Sequence, residues 1–212
     1  DGSVELNFKE GASWTGDNAG NTTMSLSKGT WNGANTGKLN ATLTNGTSWT
    51  GDSSGAGSTI KLDASTWSGV NSGDNTTITA DNGTNWSKGN SGSDTGITLN
   101  SSTWIGDNIG DGVTVKADKT TWTGANGGAK AAITLTNSAS WTGANTGANA
   151  TVNLTDSSWS GDNSGAGLSL NANNSKWNGS TSTAGSATLT NGSIWTGAST
   201  NADFSLTLNG ST

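Results

Sequence analysis

A parallel β-solenoid of about eleven coils is the fold class this sequence predicts, and three observations predict it. Tryptophan recurs along the whole chain at intervals of 17 to 19 residues. Glycine and asparagine recur at fixed offsets from each tryptophan, and every period carries one short alternating apolar run. No stretch shows the spacing of an amphipathic helix.

Composition sets the first bounds. The 212 residues include 33 Gly but no Pro, Cys, His, Tyr, Arg or Gln, an alphabet narrow enough to demand repetition. Only 29% of residues are hydrophobic, which alone would suit a disordered Ser/Thr/Asn chain. Regularly spaced indoles argue for order instead. A net charge of −6 discourages contact with nucleic acid or anionic membranes, so neither is an expected partner. No run approaches the roughly 20 apolar residues of a membrane span. The lack of cysteine removes disulfides and thiolate metal sites and leaves the redox compartment open.

The tryptophans are Trp14, Trp31, Trp49, Trp67, Trp86, Trp104, Trp122, Trp141, Trp159, Trp177 and Trp195. Small polar residues flank most of them, as in Ser13-Trp14-Thr15 and Thr121-Trp122-Thr123. Neighbours in a strand point to opposite faces. An outward indole would turn those hydroxyls into the core unpaired, so the expectation is an inward ladder.

Two positions after Trp stands Gly in ten of eleven repeats, from Gly16 to Gly197, with Lys88 the exception. Six positions after it stands Gly in nine, from Gly20 to Gly165. Such fixed glycines suit either corners with positive φ or a wall too close to the indole for a β-carbon.

Four positions after Trp come Asn18, Asn35, Asn71, Asn90, Asn108, Asn126, Asn145 and Asn163. Stacked coils would set these amides one above another, hydrogen-bonded along the axis as in cross-β asparagine ladders. Asparagine also tolerates a left-handed corner.

The alternating runs, such as Met24-Ser25-Leu26, Ile97-Thr98-Leu99 and Val152-Asn153-Leu154, have strand periodicity with two apolar residues facing in. From run to next Trp the spacing is five or six residues, the longer version often reading TNGTSW or DNGTNW. Length variation therefore belongs to a turn. The position three after Trp never carries Asp in two successive coils, as expected where like charges would face each other across paired strands. At about 4.8 Å per coil, eleven coils make a rod on the order of 50 Å long.

At the ends, Val4-Glu5-Leu6-Asn7-Phe8 matches the alternating strand, and the chain stops one residue short of the next tryptophan position. Neither end carries the charged or proline-bearing cap usual in repeat arrays. Residues 1–212 thus read as a single repeat domain that is either a piece of a longer array or stacks end to end on other copies.

The motifs STWSG, SSWSGDNSGAG and TNGTSWTG, followed by ATLTN- or VNLTD-like strands, resemble the coils of pertactin-like bacterial autotransporter passengers. The resemblance covers essentially the whole chain. It implies a right-handed β-helix, export, and display at the cell surface, outer-membrane anchored through other parts, for adhesion, autoaggregation or presentation of another domain. Its expected partners are host-cell or bacterial surface molecules, or copies of itself. The chain departs from that family in having no larger insertion between coils and no translocator barrel.

Catalysis is not expected. Without His or Cys the usual nucleophile–base pairs cannot form, and the only glutamates are Glu5 and Glu10. Aspartates scattered in turns read as solvated, the GDN turns lack the pattern of a calcium nonapeptide, and the Gly-rich turns open no helix that would cradle phosphate. No cofactor or metal is expected. Triplets such as those at Asn21, Asn40, Asn45, Asn75 and Asn82 match glycosylation acceptors only as often as this composition dictates. Three functions remain: a stalk or adhesin of a bacterial surface, a self-assembling extracellular fibre, and an ice-binding face built from Thr and Ser rows.

Overall fold

The computed structural model describes residues 4–212. All regular structure in that span is β, and each coil contributes one long strand and one short strand. The long strands, from Val4–Asn7 through Thr22–Ser27 to Phe204–Asn209, form a 12-stranded parallel sheet in sequence order. The short strands centred on tryptophan form a second, of 11 strands. A third column of single bridges runs from Asn18 to Ser199, through every position four after a tryptophan. The expected solenoid is therefore present, with its period set by the indoles.

Register explains why. Each tryptophan pairs in register with the next, for example Trp49 with Trp67, and each long strand sets apolar on apolar, as Ile60 on Ile78 and Leu62 on Ala80. A slip of one residue would turn every indole outward, so burial fixes the register. The core consists of the tryptophans and the inward residues of the long strands; Trp31 to Trp177 are at most 1% exposed. The inward expectation for the indoles holds. Trp14 and Trp195, at the two ends, are half-buried.

One residue more or less per coil is absorbed where the sequence places it. In the shorter turn between long strand and tryptophan a single residue is left-handed, such as Lys28 or Ser101. In the longer version two successive residues are, as in Asn45-Gly46 and Asn82-Gly83. The ladder asparagines are not among the left-handed residues, so asparagine's tolerance of such corners is not what places them there. Their role is in their amides.

Aromatic rings also cover the ends. Phe8 stacks on Trp14 at 5.9 Å, and Phe204 meets Trp195 at 5.7 Å and 53°.

Candidate functional site: the axial ladders

Successive indoles lie 4.3–5.1 Å apart, with planes within 11° of parallel, through ten steps without a gap. The in-register short strands impose this spacing, because strands neighbour each other at about 4.8 Å. From Trp31 onward, each indole Nε1 donates to the backbone carbonyl two positions after the tryptophan of the preceding coil, at 2.7–3.0 Å. Trp31 uses Gly16 O and Trp195 uses Gly179 O. A buried indole N–H thereby finds the partner that burial demands.

That contact also explains the first glycine column. A β-carbon on Gly33, Gly51 or Gly143 would lie 1.9 Å from the carbonyl oxygen of the glycine one coil earlier. The wall is thus the preceding backbone, with the indole nitrogen next nearest at 3.1 Å from a Gly33 β-carbon. Lys88 is the one residue of this column with a side chain. Lys88 O still receives Trp104 Nε1, and a β-carbon on the adjacent Gly89 would crowd the following coil instead, 2.6 Å from Asp107 O. A shallow groove of about 360 Å³ accompanies this irregularity, lined by Val70, Lys88, Gly89, Ile105, Asp107 and Ile109.

The asparagine ladder is continuous from Asn71 to Asn163. From Asn71 to Asn145 each Nδ2 donates one proton to Oδ1 of the next coil at 2.7–2.9 Å and another to the glycine carbonyl two residues on, while Asn163, the last, donates to Thr181 Oγ1 at 3.0 Å. Asn18 and Asn35 repeat the pattern, Asn35 reaching Ser53 Oγ at 3.2 Å. Here lies the reason for the second glycine column: a β-carbon on Gly128 would stand 1.9 Å from Gly110 O and 3.0 Å from Asn108 Nδ2. Among the described residues, Asn71 Oδ1 is the one buried side-chain polar atom without a partner. Its predecessor in the column is Ser53, which offers no amide.

One axial system escaped the sequence reading, and a second was read there only as avoided repulsion. Two residues before tryptophan runs a buried hydroxyl column, including Thr47, Ser65, Ser102, Thr120 and Ser157. Each has a carbonyl of the long strand one coil earlier within hydrogen-bond reach, as Thr47 has Leu26 O and Ser102 has Ala80 O, and most share the proton with a nearer carbonyl of their own coil, Thr44 O and Asn100 O in these two. The signal was there as Ser or Thr at a constant offset, hidden by how common both residues are. The other system is the aspartate column three after tryptophan. Asp17, Asp52, Asp107 and Asp162 each accept the backbone N–H one coil later, from Ala34, Val70, Ala125 and Ser180. Avoided repulsion is thus joined by a specific bond that favours an uncharged residue next in line.

Elsewhere two carboxylates do stack. Asp63 and Asp81 are register partners at the end of the long strands, each accepting an amide N–H from the next coil, Asn82 and Asn100. No group of three or more Asp, Glu, His or Cys suited to a metal ion occurs among the described residues. The outward rows flanking the tryptophans are in register too, yet Lys176, Ile105 and Ile194 interrupt their hydroxyls.

Fold and ladders together define a parallel β-solenoid repeat protein with an aromatic spine. Set against known families, characterised proteins and solved structures, the chain matches no family profile, no characterised protein and no solved structure.

Proposed function

We propose that the chain is a structural segment of a bacterial surface protein of the pertactin-like autotransporter kind. In this reading it is a stiff stalk that holds a binding region away from the cell and offers its polar flanks for adhesion or autoaggregation. The observation that carries the stalk role is continuity. Ten indole steps, the bridge column and both sheets run from end to end with no insertion larger than a turn. Carboxylates such as Asp17 and Asp107 are engaged in coil-to-coil bonds.

Antibodies raised against residues 4–212 test the location. They are expected to label intact cells of the source organism, and a deletion of these residues is expected to lower cell–cell or cell–host attachment. Labelling only after permeabilisation would sink the proposal.

A further inference from the structure

Eleven indoles in one unbroken stack do more than pack. Their faces are 4.3–5.1 Å apart at centroid and nearly parallel, the geometry in which neighbouring π-systems overlap. The interior members are dry. The chain has no Tyr, Cys or His and a single Met, so the ladder is by far its largest store of easily oxidised side chains. We propose that the ladder conducts an electron vacancy along the rod, an activity beyond the structural role.

The chemistry is one-electron exchange. A high-potential one-electron oxidant of the ruthenium(III) polypyridyl class accepts one electron from an indole and is itself reduced to ruthenium(II), leaving an indole cation radical. The neighbouring indole then supplies an electron, and the vacancy moves one coil with no bond made or broken. Interior rings keep their protons, because each Nε1–H is held by an amide carbonyl, too weak a base to remove it. Rings above and below present π-faces that attract the cationic ring, and the carbonyl dipole adds to this. In this 212-residue chain the exit is Trp14. It is half-buried, and among the described residues its Nε1 has no acceptor, whereas Trp31 to Trp195 all have one. There the proton passes to water and a neutral indolyl radical remains.

The test uses the absence of native cysteine. A ruthenium polypyridyl label is attached to a single thiol at the exposed Thr196→Cys, beside Trp195, and photo-oxidised to ruthenium(III) by hexaammineruthenium(III), which takes one electron and releases no oxidising radical. A nitroso spin trap then forms a C–N bond at the indole C3 of any lasting radical, and peptide mass spectrometry locates the adduct. At dilutions where yield is independent of protein concentration, the intact ladder is expected to give adducts at Trp14 as well as Trp195. Breaking it with Trp104→Phe and Trp122→Phe is expected to lower the Trp14 adduct to the level of the unilluminated control and leave that at Trp195. A break at Trp67→Phe and Trp86→Phe should do the same, with near-ultraviolet circular dichroism confirming that the remaining indoles stack. Adducts confined to Trp195 in the intact chain would overturn the proposal, as would equal Trp14 adducts in the folded broken chains. Should the broken chains not fold, the intact chain alone decides.

Discussion

Ser53 shows what one side chain is worth in a column. By interrupting the amides it leaves Asn71 Oδ1 buried and unpaired, and such a group costs about 1–3 kcal/mol. Ser53→Asn supplies the missing donor and is expected to raise the unfolding free energy by about 1 kcal/mol in urea titrations. Ser138 is a second local cost. It is the second left-handed residue of its turn, φ 69°, where the corresponding turns at Gly46, Gly83 and Gly192 use glycine. Ser138→Gly removes a β-carbon from that region and is expected to stabilise by on the order of 1 kcal/mol, read from the same titrations. A fall in stability at either position would contradict the geometry described.

At the scale of the coil, the unit of stability is the indole with its carbonyl. Trp104→Ala removes two stacking faces, opens a cavity and leaves Lys88 O without its donor, so a loss of about 3–5 kcal/mol is expected. Limited proteolysis should then cut near residue 104 before it cuts elsewhere, and resistance equal to that of the unaltered chain would refute it. The tryptophan and asparagine columns were legible in the sequence because one residue type recurs at one offset, and stacking converts an offset into a line. What each residue does in that line was less legible. The glycines answer to the backbone of the coil before, an approach that exists only once coils are stacked. Asn45 and Asn82 hold left-handed turns while Asn90 and Asn108 do not, although all are asparagines near glycine. Phe8 and Phe204 occur once each and form no column, so nothing marked them as ring caps. Lys88 was visible as an exception, but that its neighbour Gly89 is crowded from the coil after rather than the coil before was not.

For the molecule as a whole, repeat arrays behave as sums of near-identical units and their interfaces. Deleting residues 105–122 joins Trp104 to Thr123 and preserves every offset across the join. The product is expected to keep the β-rich circular dichroism and a cooperative melt, and to be shorter by about 4.8 Å. Small-angle scattering and calorimetry measure both, and loss of the cooperative transition would show that the coils are not interchangeable. The same arithmetic applies to attachment in the proposed stalk, where reach would change in whole coils.

The axial bonds have one more consequence. Indole to carbonyl, amide to amide and hydroxyl to carbonyl all join residues 15 to 22 apart in the chain. No segment waits for a distant partner: once a coil is in place, its successor has everything required to settle on it. A chain delivered end-first through a narrow opening can therefore fold as it arrives, each turn templated by the last, with a single growing edge exposed at any moment.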